Sequence, residues 1–348
     1  MARFVDEHPE LGHEEHACSR LLGEVLATGG LRVERPVGGM DTAFRAVLNG
    51  ARPGRTVGIV CLFDAVPAVR SDGSIEAVHS CGHAPIAGGV VAAALALAEH
   101  ASELSGRLVV VGCPADEIHA PAAAARGGGK TLSVQAGLWD DVDTALYAHP
   151  EYIDTVSQRS RWMRREHLHV AGERSLSGRP EPPLQAALAA LRANTADVMI
   201  ERLALDGDVE EATGLVARAD VLVFADTLEE LERRCSALRT AVPQAQWTTA
   251  TTIEGVRPDA AATAAVAEAF AACGREFVAD PPPLPFATDF GNVSQRLPAA
   301  LIGVGRPGGW AFHTDDGAAE FRSPAGDEAS RALARVLALA AYRLSEPV

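Results

Sequence analysis

Apolar runs of strand length recur along this chain, separated by loops and longer stretches with helical spacing. Thr56–Phe63 (TVGIVCLF) and Arg107–Cys113 (RLVVVGC) are almost unbroken apolar segments. That pattern predicts strands buried on both faces of a parallel sheet. Thr144–Ala148 and Pro298–Val304 (PAALIGV) repeat it. Between and around them, residues 10–28 predict a helix with Leu21, Leu22, Val25 and Leu26 on one face and Gly29-Gly30 as its stop. Pro85–His100 and Asp327–Leu344 predict two more helices. Strand, loop and helix alternate at both ends of the chain, which predicts a parallel sheet covered by helices.

The middle has a different rhythm. Its strands alternate more: His167–Val170, Val198–Leu205, Leu215–Ala225 and Gln246–Thr252. Two helices are predicted among them, Pro183–Asn194 and Leu228–Thr240. This reads as a small α+β unit over residues 164–252, inserted into a discontinuous domain made of residues 1–163 and 253–348. Two domains also suit 348 residues, beyond the usual reach of one core.

Composition narrows the function. Hydrophobic residues make up 47% and charged residues 22%, an ordinary globular balance. The formal net charge of −15 lacks the basic footprint that a nucleic-acid partner needs. No uncharged run reaches the ~18 apolar residues of a membrane span, and the first residues lack the apolar core of a signal peptide. Six cysteines show no CxxC pairing. A cytoplasmic protein with free thiols is expected.

The candidate chemistry lies at the predicted strand ends. Cys81 and His83 flank Gly82, Asp116 and Glu117 follow the Arg107–Cys113 run, His149 follows Thr144–Ala148, and His313 follows Pro298–Val304 through a Gly-rich loop. Each has a plain reading when taken singly: an inert thiol beside a loop imidazole, a solvated acidic turn, a histidine capping the sheet, a surface histidine. Jointly they point elsewhere, because strand ends on one side of an α/β sheet converge. Thiolate, imidazole and carboxylate donors together suit zinc or a similar borderline ion. Of the adjacent carboxylates, Glu117 is expected as a ligand and Asp116 as the base that moves the proton. Asp64, after the first buried strand, reads as a carboxylate that orients a histidine ligand, or as a turn aspartate; His79 is placed near it for the same reason. Arg126-Gly127-Gly128-Gly129-Lys130-Thr131 looks like the end of a phosphate loop, but the first glycine required would fall on Ala124 and no strand precedes it. A Gly turn before a short helix is expected there.

These segments together resemble a known family. The blocks are His8-Pro9-Glu10-Leu11-Gly12 with Glu14-Glu15-His16, Thr42-Ala43-Phe44-Arg45-Ala46, Asp64-Ala65-Val66-Pro67, Cys81-Gly82-His83, Pro114-Ala115-Asp116-Glu117, Gly127-Gly128-Gly129-Lys130, Ala148-His149-Pro150, Thr288-Asp289-Phe290-Gly291-Asn292-Val293-Ser294 and His313-Thr314. The chain resembles the zinc-dependent amidohydrolases and dipeptidases that include aminoacylases, auxin-conjugate hydrolases and p-aminobenzoyl-glutamate hydrolase, with most likeness to the β-alanyl-lysine dipeptidase-like branch. The resemblance implies a three-layer α/β catalytic domain with an inserted ferredoxin-like lid that also makes a homodimer contact. It implies one or two zinc ions, or manganese, on Cys81, His83, Glu117, His149 and His313, with Asp116 as general base and Asp289 in a block lining the site. The implied substrate is a small N-acyl amino acid or dipeptide-like amide. The departures are Asp116 where relatives hold Glu, Ala84 after the Cys-Gly-His block, Leu62 ahead of Asp64, and Leu176, Ala212 and Ala225 where the lid usually carries His, Asn and Arg. Arg174, Arg179 or Arg218 are the candidate replacements for that arginine. An altered biosynthetic reaction (deacylation of an intermediate, or a condensation) and a non-catalytic metal-binding relative are the alternative readings.

Overall fold

The computed structural model describes residues 1–171, 197–208 and 213–347. Two units emerge: Met1–Arg159 with Val256–Pro283 and Asn292–Val348, and Ser160–Gly255 with Leu284–Gly291. In chain order the described strands are β1 (Arg32–Glu34), β2 (Phe44–Asn49), β3 (Arg52–Cys61), β4 (Val66–Val69), β5 (Ile75–Val78), β6 (Ser105–Gly112), β7 (Thr144–Glu151), β8 (Trp162–Ala171), β9 (Val198–Asp208), β10 (Thr213–Ala225), β11 (Gln246–Thr249) and β12 (Ala299–Gly305).

The first unit is built on a six-stranded sheet in the order β1-β2-β6-β3-β7-β12. β6, β3, β7 and β12 run parallel. From Val57 to Cys61 every residue of β3 is buried, so both faces of the sheet are covered, as the apolar run requires. The sheet is nevertheless mixed: β2 pairs antiparallel with β6, and β1 antiparallel with β2. Neither strand is foreseen from the pattern. β2 carries a charge in its middle, Arg45, which reaches Leu138 O at 3.3 Å and Asp141 at 2.5 Å, and β1 is a short strand at an edge. β4 and β5 form a separate hairpin.

The predicted opening helix starts later than expected, at His16 rather than residue 10, and ends at Thr28. The reason is local. The Glu10 carboxylate accepts the backbone N–H groups of Ala17 (2.8 Å) and Cys18 (2.9 Å), so Glu10 serves the helix N-terminus from outside it. The helices His83–Glu99 and Ala260–Ala272 both pack on Pro324–Ser345. Close approach of the first pair depends on Gly89, where a Cβ would lie 2.7 Å from Leu333 Cβ.

The second unit holds a four-stranded antiparallel sheet, β11-β8-β10-β9. The helix Leu228–Ala241 covers one face, burying Leu231, Cys235 and Leu238 against Leu168, Val170, Ala217, Ala219, Val221 and Val223. Thr227 caps it by accepting the Glu230 N–H at 3.2 Å. Buried Glu166 is held by Arg239 at 2.8 Å and Thr249 at 2.9 Å. The predicted helix Pro183–Asn194, and Arg174, Leu176, Arg179 and Ala212, lie outside the described residues. No described helix is long and apolar enough to cross a membrane.

Candidate metal centre

Because β3, β6, β7 and β12 are parallel, their C-terminal ends share one edge of the sheet. Asp64 follows β3, Asp116 and Glu117 follow β6, His149 sits near the end of β7, and His313 lies on the loop after β12. Cys81 and His83 come from the turn after β5, and His83 opens the helix His83–Glu99. Gly82 makes that turn in the left-handed region at φ +95°, where a Cβ would meet Pro150 Cγ at 2.9 Å. The loop carrying His313 is tied down by its own backbone: the His313 N–H donates to Ser80 O at 2.9 Å.

The five predicted donors come together as two groups that share a thiol. Donor atoms of Cys81, His83 and His149 lie within 4.8 Å of one another, and so do those of Cys81, Glu117 and His313. Cys81 Sγ is 3.8 Å from His149 Nε2, and Glu117 is 3.8 Å from both His83 Nε2 and His313 Nε2. His83 is buried, whereas the His313 side chain is 52% exposed, so the cluster runs from the interior to the surface.

Asp64 organises this cluster from beneath. His83 Nδ1 lies 2.9 Å from Asp64 Oδ1 and 2.8 Å from the Asp64 carbonyl, so Nδ1 carries the proton and Nε2 faces the other donors. The other Asp64 oxygen accepts the Glu117 N–H at 3.0 Å. Burial opposes the charge on Asp64, but the His83 imidazole beside it wins and holds its carboxyl below the usual range. Likewise burial disfavours a charged His83, yet the Asp64 charge lifts it well above the usual imidazole value. His79 is buried near both, and burial with the neighbouring His83 charge pushes it down to about 3.

The remaining donors are driven toward neutrality. Burial raises the Cys81 thiol to about 12 and Glu117 to about 7, and lowers His149 to about 3. Among the described residues, buried His83 Nε2 and Glu117 Oε1 have no hydrogen-bond partner. These two buried atoms, facing a thiol and two further imidazoles, fit a cation whose binding displaces the second His83 proton. The donor set, one sulfur with three nitrogens and a carboxylate, fits a borderline divalent ion.

Asp116 lies beside this cluster, with Oδ2 3.2 Å from His83 Nε2. Its Oδ1 is ion-paired with Nζ of Lys130, which is fully buried. The residue before it, Ala115, adopts φ +53°, and His313 adopts φ +59°. Both are non-glycine residues in the left-handed region beside functional groups, a familiar place for backbone strain. Ala115 is held there by Glu15, whose fully buried carboxylate accepts the Ala115 N–H at 2.8 Å and the Thr42 hydroxyl at 2.7 Å.

Sequence reading placed Lys130 and Glu15 in motif blocks but gave neither a role at the site. Lys130 had a signal: it is the only lysine among the 31 Lys and Arg residues of the chain. Its segment forms no phosphate loop. The helices Pro121–Arg126 and Gly129–Gln135 meet there, as a Gly turn before a short helix predicts. Asp289 is fully buried in the second unit. In that unit Ala225 packs in the core under the Leu228–Ala241 helix, and Arg218 pairs with Asp206 at 2.6 Å on the surface.

A family model described as Peptidase family M20/M25/M40 matches residues 63–342. Thermostable carboxypeptidase 2 of Saccharolobus solfataricus is 30% identical over 156 residues, covering 43% of this chain and 38% of that protein. The Xaa-Arg dipeptidase of Mus musculus is 32% identical over 162 residues, covering 43% of this chain and 34% of that protein. The matched stretches thus span well under half the length of these curated relatives. Among solved structures, the Bacillus subtilis YXEP protein, described as a dinuclear metal binding peptidase from the M20 family, superposes with a TM-score of 0.77 at 20% identity. That likeness covers 100% of this chain and 97% of that one, and it shows the fold.

Proposed function

The chain belongs to peptidase family M20/M25/M40, and from that premise we propose that it is a metal-dependent amide hydrolase acting on a small N-acyl amino acid or dipeptide-like substrate. The observation that carries the proposal is the pair of donor groups, Cys81/His83/His149 and Cys81/Glu117/His313, joined through one thiol. We assign zinc, as one ion or two, with manganese as the other candidate, because thiolate and imidazole donors favour zinc. A bound ion of this kind lowers the pKa of water toward neutrality and polarises a carbonyl.

The chain's own groups supply the rest. Asp64 fixes His83 with Nε2 outward and sets the backbone of Glu117. Asp116 is the proton carrier: its Oδ2, the oxygen beside His83 Nε2, takes up the proton of the attacking water and returns it to the departing amine. The two curated relatives, a carboxypeptidase and a dipeptidase by name, support an amide bond to an amino acid as the target. We further propose that the protein is cytoplasmic, works on free small molecules, and forms a homodimer through the Ser160–Gly255 unit.

The test is amine release from a panel of N-acyl amino acids and dipeptides by the metal-loaded protein. Turnover is expected, and Asp116→Asn should abolish it while the metal stays bound. No release across the panel by fully loaded protein would overturn the proposal.

A further inference from the structure

A lysine ammonium is costly to bury and persists in an interior only when it is paired. Lys130 is fully buried, and its Nζ meets Asp116 Oδ1. The same Nζ lies 5.2 Å from the centre of the Tyr147 ring, which makes a T-shaped contact with the His149 ring. The placement is built by the backbone. Gly129 sits so close to Pro114 that a Cβ there would fall 2.8 Å from Pro114 Cδ and still closer to its carbonyl oxygen. The Gly129–Gln135 helix therefore starts directly under the segment that presents Asp116.

Every other strongly basic position in the chain is arginine. The exception has a chemical reason. A guanidinium is a planar fork that engages both oxygens of a carboxylate, whereas an ammonium is a point charge that can hold one. Holding one oxygen leaves the other, Oδ2, beside His83 Nε2. An aspartate is also one methylene shorter than a glutamate, so its carboxylate has less reach and must be aimed.

We propose that Lys130 is a positioning residue: it pins Asp116 through Oδ1 so that Oδ2 alone faces the donor cluster as the proton acceptor. The catalytic half of this statement rests on the hydrolase reading above. The pinning itself does not, and the single lysine makes it separately observable.

The experiment uses the full chain labelled with ¹⁵N-lysine, which places one side-chain ammonium signal in the spectrum. A slowly exchanging signal is expected in the wild-type protein, and Asp116→Asn should shift it or bring it into fast exchange. Alongside, Lys130→Met and Lys130→Arg are assayed with their metal content measured. Because an ångström of misplacement costs about 100-fold, both variants should lose kcat on that order, with KM within about twofold. Metal content should stay at the wild-type level. Failure of Lys130→Arg to restore kcat is the mark of one-oxygen pinning, since a merely structural cation would be replaced by arginine. Should Lys130→Met not fold, the Lys130→Met/Asp116→Asn variant removes both charges, and the ammonium signal with Lys130→Arg still decides. A signal indifferent to Asp116→Asn, or full kcat in Lys130→Arg with metal bound, overturns the proposal. A wild-type protein that turns over nothing while its signal still follows Asp116 would instead overturn the hydrolase reading and leave the pair standing.

Discussion

At the scale of single residues, buried carboxylates set the geometry of the centre. The Asp64 backbone carbonyl accepts from His83 Nδ1 at 2.8 Å, Asp64 Oδ1 lies 2.9 Å from the same nitrogen, and Asp64 Oδ2 accepts the Glu117 N–H. Asp64→Asn should therefore weaken metal binding about 10- to 100-fold, measured by chelator competition, with the fold retained by circular dichroism. Glu15 carries a different signature. Burial, with the nearby Asp64 charge, raises its carboxyl to about 7, against an ordinary value of 4.5. The folded state then binds the proton more tightly than the unfolded chain. Its contribution to stability is complete below pH 4.5 and is lost as pH rises toward 7. Urea melts of metal-free protein should show Glu15→Gln gaining on the wild type across that window, with a level difference above it; a difference flat across the whole range contradicts the assignment. Glu117, His149 and His313 were legible in sequence because each follows an apolar run, and Cys81 and His83 as a Cys-Gly-His pair. Glu15 was not, since it reaches Ala115 across 100 positions of sequence and only the folded chain brings them together.

At the scale of elements, the parallel strands were legible and their neighbours less so. A stretch of strand covered on both faces is apolar, and Val57–Cys61 of β3, Leu108–Gly112 of β6, Ala145–Ala148 of β7 and Ala299–Val304 of β12 announce themselves that way. β1 and β2 extend the sheet at an edge, where length and alternation are weak. The β4–β5 hairpin leaves Val69 and Ile75 exposed, so it presents no continuous run. The opening helix is shorter than its pattern predicts because Glu10, a residue that suits a helix, is used as an external acceptor for the helix N-terminus. The turn that delivers Cys81 and His83 offers a sharp test. Gly82→Ala puts a side chain at φ +95° and against Pro150. A loss of about 1–2 kcal/mol in urea stability is expected from the left-handed backbone alone. Because His83 is the next residue, metal affinity should fall with it.

At the scale of the whole molecule, stability and the metal are linked. Several segments of the first unit meet at one edge of the sheet through side chains whose buried atoms, notably His83 Nε2 and Glu117 Oε1, have no hydrogen-bond partner among the described residues. An ion that binds only the folded chain should stabilise it by about 2.7 kcal/mol at 100 times its dissociation constant. Thermal melts with and without zinc should show that gain in the wild type and none in His83→Ala. Cys81 is common to both donor groups, so its loss should empty most of the centre. The most direct measurement is the metal-to-protein ratio by elemental analysis for the wild type, His83→Ala and Cys81→Ser, each folded and incubated with zinc or manganese. The wild type should retain the ion through gel filtration, and both variants should lose most of it. Folded wild-type protein that retains neither metal, or variants that retain as much as the wild type, would contradict a shared metal centre at these residues.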